Sequence, residues 1–593
     1  MSFMFNPYPY KDMNAINRIS ISPENSQSIR SGNAAVCAGL KKIITSGITL
    51  IDGHIGVDFE ALINELRSVS DKVKFIDISA CYKSSKELDE KFAEHLPIDA
   101  EMDPISLFGR MFEGKMHELI DLQSVNALKS NLKHAEGATV IYGCGSAIDE
   151  LRNVASHTIY CDMVPMNIVL RAKSGQIKCI GDTKPRSFRD LMRHLYYIDY
   201  EVCIHHRQEL LSNNLADYYI DCNDSNELKL VPRSAFNEIF HALVQQPFRC
   251  KPCYIEGVWG GDYIKNLRSL PDTMRNCAWV FDLIPNEVSL MTEVDGKLVE
   301  FPFITFYRKM GVELMGKETV DKYLGVFPIR FNYDDTYHGG NMSIQVHPPL
   351  EYNHEHFSEP FQQDESYYCV FTAGSRTYMG FKDDADVEEF YSAVMKSEKD
   401  GSAVDYERYV NSVVSRQGRQ FLIPGGTIHS SGANQVVLEI GSWTVGSYTF
   451  KMYDYLRTDL DGTRRPIHSR HGINVIDKSR REDYVNEKLV PAPKLLRKES
   501  NGAEYIIGEH EKMFFQLRCL EFQREMEDNT TGKFHVLNLV EGQRVRIEAL
   551  SDPAKNYEIS FLDMAVVPAC VGAYRIVNLG AGPVRIHKTL IRG

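Results

Sequence analysis

NMSIQVHP (341–348) is the stretch that decides how the second half of this chain folds. Side chains two apart in a strand share a face. Ile344 and Val346 therefore point one way, and Gln345 and His347 the other. A strand with that division belongs to a sheet whose inner surface carries polar groups. The surrounding sequence has the same texture: SYYCVFTAG (366–374), RTYMGFK (376–382), QFLIPGG (420–426), QVVLEIG (435–441) and SYTFKMYDY (447–455) are short strand-like runs broken by Gly, Pro, Asn and Asp. Many short strands with frequent turn signals predict an antiparallel all-β barrel or sandwich. One helical insertion, ADVEEFYSAVMKSEKD (385–400), interrupts it. After about residue 500 a smaller β-unit follows, with FHVLNLVEG (534–542), RVRIEAL (544–550) and PVRIHKTLIR (583–592) among its strands.

Three further features converge on Gln345 and His347. Glu365 opens the strand ESYYCV, and His429 closes the turn IPGGTIH. Two imidazoles, a carboxylate and an amide oxygen form a nitrogen/oxygen set suited to zinc. Taken singly, each is more commonly a turn, packing or solvated residue; the ordered set is what points to a metal. His354 and His356 in NHEHF share the two-residue spacing and compete for the role, but their polar surroundings before Pro360 predict a rim loop.

These segments resemble the type I mannose-6-phosphate isomerases. Trp259-Gly260-Gly261, MGFK (379–382), Glu439 and the run from Tyr448 to Tyr455 resemble further motifs of that family, and the resemblance spans roughly 250–593. It implies a double cupin (jelly roll), one zinc per chain on Gln345, His347, Glu365 and His429, and a sugar-phosphate partner. It also implies interconversion of mannose 6-phosphate and fructose 6-phosphate, catalytic roles for Lys451 and Glu439, and substrate contacts from Ser343 and Gln363. The departures concern charge. Gln363 and Asn332 stand where the family has lysines, and Lys451 replaces an arginine, losing a bidentate fork. A glutamine does not titrate and cannot act as a base. RRPIHSRH (464–471) is either a source of replacement cations or a solvated loop. A non-catalytic sugar-binding protein and another cupin activity are the alternative readings; the glutamine ligand argues against an iron oxygenase.

The first half reads differently. IITSGITLID (43–52), KVKFIDIS (72–79), ATVIYGCG (138–145) and TIYCDMV (158–164) are buried-strand runs, and amphipathic helical stretches separate them. Strands alternating with helices predict a parallel α/β sheet. GITLIDGHIGVDFEALINEL (47–66) has the outline of a phosphate-binding loop, and CYKSSKELDE, DPISLFGRMFEG and VIYGCGSAI resemble nucleoside kinases. The P-loop pattern itself is missing: Asp58 and Phe59 fall where Gly and Lys belong. The expected organisation is an irregular segment 1–32, a degenerate P-loop-kinase-like domain 33–245, a metal-binding cupin 250–495 and a second cupin-like unit 500–593.

A chain of 593 residues needs several cores. With 67 basic against 80 acidic residues, its net charge of −13 disfavours a nucleic-acid partner or an anionic membrane surface. No run of about 18 apolar residues predicts a membrane span, and the charged, proline-containing start does not read as a signal peptide. Thirteen thinly spread cysteines suit a cytoplasmic protein with reduced thiols. Cys250 and Cys253 have C-x-x-C spacing, but lack the second pair a zinc site needs.

Overall fold

The computed structural model describes residues 5–69, 72–132 and 137–592. In the first half, a seven-stranded sheet runs in the order Arg30–Ser31, Lys229–Pro232, Tyr218–Asp221, His157–Asp162, Ile48–Gly53, Thr139–Tyr142, Lys74–Asp77. The last five are mutually parallel, and the first two pair antiparallel at one edge. The α/β expectation therefore holds. Ile48–Gly53 is central, and all its residues but the first are buried, as a parallel strand covered on both faces must be. The strand at Tyr218–Asp221 escaped the sequence reading because it is four residues long and lies among polar neighbours.

The second half opens with two antiparallel sheets. One has six strands, in the order Gln420–Ile423, Glu365–Thr372, Gln435–Ser442, Ile329–Asp335, Trp279–Leu283, Cys253–Ile255. The other has five: Val410–Val414, Arg376–Phe381, His429–Ser431, Ile344–Val346, Phe450–Tyr453. The predicted insertion is the helix Val387–Asp400. Asp386 caps it by accepting from the Glu388 and Glu389 amides, and Gly401 ends it at φ +77°. The C-terminal unit is a six-stranded sheet facing a four-stranded one, with its own apolar cluster around Leu537, Ile547 and Ile576.

Two expectations need correction. Residues 1–32 are not merely irregular: Ile16–Arg18 pairs in parallel with Ser289–Val294, Pro23–Ser28 is a helix, and Arg30–Ser31 joins the α/β sheet. The Pro and Asn that read as loop have specific work here. Pro23 starts the helix at its first position, and the buried Asn17 amide donates to the carbonyls of Arg249 and Met291. NHEHF is not a loop but part of the helix Leu350–Phe357, entered from Pro349 and closed by Ser358 at φ +54°. Cys250 and Cys253 are both buried, and burial raises both thiol pKa values, that of Cys253 to about 12.

The two halves share one continuous core. Its most pointed contact is Phe108, from the α/β half. Its ring lies 5.6 Å from both Phe357 and Phe450 and 5.0 Å from His468. Beside it, the Met111 amide donates to the Phe357 carbonyl at 2.9 Å, and Asp103 faces His468 at 3.6 Å. Truncating a buried phenylalanine costs about 3–5 kcal/mol. We expect Phe108→Ala to lower the thermal unfolding midpoint and to expose the 97–115 segment to limited proteolysis; an unchanged midpoint and digestion pattern would show the contact to be incidental.

Candidate metal centre

The two sheets of the first barrel each bring part of one cluster. In the five-stranded sheet Gln345 lies opposite both His429 and Lys451 in register. In the six-stranded sheet Glu365 and Glu439 occupy adjacent strands, with Gly441 opposite Glu365. His347 follows the strand Ile344–Val346, and the Pro-Gly-Gly turn closes over it: the Gly426 amide donates to the His347 carbonyl at 2.7 Å. Gly426 holds φ +87°, and a Cβ on Gly425 would meet the Pro348 carbonyl at 3.1 Å. The double glycine is thus what lets this turn approach.

The imidazoles are pre-set as ligands. His347 Nδ1 donates to the Tyr448 carbonyl at 3.0 Å, and His429 Nδ1 to the Thr427 carbonyl at 2.9 Å. A carbonyl accepts only from an N–H, so each Nε2 is left with its lone pair. Both Nε2 atoms face one oxygen, Glu365 Oε2, at 3.0 and 3.3 Å. Gln345 Nε2 lies 3.4 Å from His429 Nε2, and a half-turn of the amide would present its oxygen instead. Donors about 2.0–2.2 Å from a tetrahedral zinc stand about 3.3–3.5 Å apart. The spacing here is close to that. His347 Nε2 and Glu365 Oε2 are moreover buried without a hydrogen-bond partner, a costly state that a cation would relieve. Of the described His, Cys, Asp and Glu residues, His347, Glu365 and His429 form one of two groups with metal-ligand spacing.

The electrostatics agree. Burial depresses the His347 pKa, against the pull of Glu365, and favours the neutral imidazole a metal needs. Burial opposes ionisation of Glu365, yet in the metal-free protein a proton on His347 or His429, which a metal would displace, together with the Arg330 guanidinium outweighs it and holds the carboxyl well below its usual range. Glu439 is pushed well up by burial and by the Glu365 and Asp334 charges beside it. Burial and the neighbouring Arg465 bring the Lys451 ammonium down to about 7.

The other predicted residues fall as follows. Ser343 is buried two residues before Gln345. Gln363 is fully buried, and both ends of its amide are engaged: Nε2 donates to Glu365 Oε1 at 3.1 Å, and Oε1 accepts from the Tyr448 amide at 3.1 Å. It braces a ligand. Asn332 donates to Asp334 at 2.9 Å. His356 stacks on Tyr352 at 4.0 Å and His354 is exposed, so neither joins the cluster. The 464–471 run is not a solvated loop. Arg465 is buried against Asp454, and His468 is buried beside Asp103. Arg465 is thus committed within the protein, whereas Arg464 and Arg470 are exposed.

Sequence reasoning missed Arg330. Its Nη2 contacts Glu365 Oε1, and it reaches Glu439 Oε1 at 3.1 Å, one guanidinium between two buried carboxyls. The signal was present: Arg330, Asn332 and Asp334 alternate with Phe331 and Tyr333, so the whole polar row faces the barrel.

Comparison with known proteins bears on both halves. Residues 32–245 match the model of a domain of unknown function, DUF8485. Over 238 residues the chain is 24% identical to the mannose-6-phosphate isomerase ManA of Bacillus subtilis, a match covering 40% of this chain and 69% of that protein. It is 25% identical over 225 residues to a mannose-6-phosphate isomerase of Streptococcus mutans, covering 37% of this chain and 64% of the relative. The crystal structure of the mannose 6-phosphate isomerase from Bacillus subtilis aligns with 58% of this chain and 99% of its own length, at 16% identity and a TM-score of 0.45. A zinc-bound mannose 6-phosphate isomerase aligns with 59% of this chain and all of its own, at 12% identity and a TM-score of 0.44. Part of the chain is thus similar in sequence to mannose-6-phosphate isomerases, and no helix among the described residues is long and apolar enough to cross a membrane.

Removing one partner of a buried charge cluster costs about 3–5 kcal/mol. We expect metal-free Arg330→Met to unfold at clearly lower urea than metal-free wild type, and saturating zinc to narrow that gap, because a cation beside Glu365 takes over part of the guanidinium's task. A gap that zinc leaves untouched would separate Arg330 from the metal centre.

Proposed function

We propose that this barrel is a zinc-dependent aldose–ketose isomerase acting on a sugar phosphate, interconverting mannose 6-phosphate and fructose 6-phosphate. The observation that carries the reading is the convergence of His347 Nε2, His429 Nε2 and Glu365 Oε2, the first and last without a hydrogen-bond partner and the second facing the Gln345 amide. The sequence similarity to mannose-6-phosphate isomerases supports the choice of reaction. Gln345, His347, Glu365 and His429 would hold one zinc in the barrel, and bound zinc would supply Lewis-acid polarisation of the open-chain carbonyl. The chain's own residues do the rest. Lys451, across the strand pair from Gln345, carries the proton between C1 and C2 of the sugar. Glu439 keeps its place through Arg330, and Gln363 acts on substrate through the Glu365 carboxylate it holds. Ser343, on the approach to Gln345, contacts the phosphate.

A second reading, sugar binding without turnover, draws on burial: Lys451 is 9% exposed and the four ligands 8% or less. The two readings part in one assay. Zinc-loaded protein is incubated with mannose 6-phosphate, and fructose 6-phosphate is detected by a coupled enzyme. The isomerase reading expects turnover that chelation abolishes, a loss of at least 100-fold in Lys451→Met as for a general acid–base group, and release of the barrel zinc in His347→Ala. Binding of the sugar with no turnover would favour the second reading.

For the α/β half we propose a kinase-like sheet that no longer grips phosphate. Asp58 stands just before the helix Phe59–Val69, accepts from the Ala61 amide at 3.0 Å and pairs with Arg171 at 3.2 Å. A carboxylate there repels the anion that a helix N-terminus otherwise attracts. Isothermal titration with magnesium-ATP is expected to give no heat at millimolar nucleotide; a saturable isotherm would reverse this assignment.

A further inference from the structure

A second cluster of metal-ligand type lies in the α/β half, away from the barrel. Cys179, His194 and Asp199 each offer one donor atom, and these atoms all lie within 4.8 Å of one another. All three residues are at most 3% exposed. The helix Phe188–His194 runs into a π-turn, Leu195–Asp199, before resuming as Tyr200–Ser212. In a regular α-helix residues five apart point about 140° from each other. The widened turn changes that, and His194 Nδ1 reaches Asp199 Oδ2 at 2.8 Å. Such single π-turns concentrate at functional sites.

Asp199 supplies the independent sign of a ligand. It is fully buried, its Oδ1 has no hydrogen-bond partner, and among the described residues its one ion-pair partner is His194. Cys179 closes the group from the 174–187 connection. Burial, and then Asp199, push its thiol pKa well up, the wrong direction for a Cys–His–Asp nucleophile. Arg186, whose charge opposes that rise, is committed to Asp182 and Asp89 at 2.7 and 2.8 Å. Thiolate, carboxylate and neutral imidazole carry two negative charges, which one divalent ion balances in a buried setting.

We propose that Cys179, His194 and Asp199 bind a zinc ion distinct from the one assigned to the barrel. The sulfur/nitrogen/oxygen set selects zinc over magnesium or calcium. Cys179 also lines a cleft of about 800 Å³ beside Ile55–Glu60, Lys83 and Tyr142, so a water can complete the coordination from that side. The ion would fasten the connection carrying Cys179, which forms one lip of the cleft, to the helix pair behind it.

Cobalt substitution tests this on the whole chain. Thiolate bound to Co²⁺ gives an intense near-ultraviolet charge-transfer band, which the all-nitrogen/oxygen barrel site cannot produce. We expect two metal equivalents per wild-type chain together with that band. His347→Ala should lose one equivalent and keep the band, whereas Cys179→Ser should lose one equivalent and the whole band, and His194→Gln should weaken cobalt affinity at least tenfold. Wild-type protein without the band, or Cys179→Ser that retains it, overturns the proposal. Neither result touches the barrel reading, and the wild-type spectrum decides even if a variant fails to fold.

Discussion

Glu365 has one carboxylate and two electrostatic partners. Oε2 faces the imidazoles of His347 and His429, while Oε1 faces Arg330 and the Gln363 amide. The barrel is organised around that division. The imidazoles come from the five-stranded sheet, and Glu365, Arg330 and Glu439 from the six-stranded one. The carboxylate is therefore an electrostatic bond between the two sheets, which the Gln435 amide of one and the Ser431 hydroxyl of the other also join at 2.8 Å. A charge so deeply buried is tolerable only when both oxygens are satisfied. Arg330 meets that need on one side, and on the other a cation held with His347 and His429 would meet it.

The support extends outward from the ligands. Tyr448 is the joint: its carbonyl fixes the tautomer of His347, its amide holds Gln363, and its ring stacks on Phe357 at 4.3 Å. Phe357 in turn packs against Phe108 of the α/β half. The orientation of His347 thus rests, three contacts away, on a residue more than 200 positions earlier in the chain. This gives the α/β half a mechanical role independent of any ligand of its own.

The candidate cluster was partly legible in the sequence because a strand's two-residue period converts spacing directly into facing. Gln345 and His347 could be placed together without knowing anything else. The glycine turn before His429 was legible because few residues other than glycine adopt the φ of Gly426. Arg330 obeys the same period, but the family resemblance marks Asn332, two residues on, and not Arg330 as the place for a charge. Arg330 places a positive charge two residues before Asn332 on the same face of the strand. The role of Gln363 was hidden for another reason. Whether a buried amide serves a substrate or a neighbouring carboxylate depends on tertiary partners that spacing does not encode. The helix at 350–357 and the ordered segment at 16–31 were missed where proline and asparagine read as breakers, although they serve there as a helix start and a backbone bracket. Cys179, His194 and Asp199 escaped notice because an irregular connection and a π-turn bring them together, and neither has a periodic signature.

The strand Ile16–Arg18 has one more consequence. Its partner, Ser289–Val294, lies some 270 residues later. At about 5–20 residues per second of synthesis, the early strand leaves the ribosome roughly 15–50 seconds before anything exists for it to pair with. Arg30–Ser31, which needs Lys229–Pro232, waits nearly as long. The opening of this chain is therefore the last part of the first half to find its place. Until then, the 16–31 segment remains unpaired and open to chaperones, and to neighbouring nascent chains on the same message.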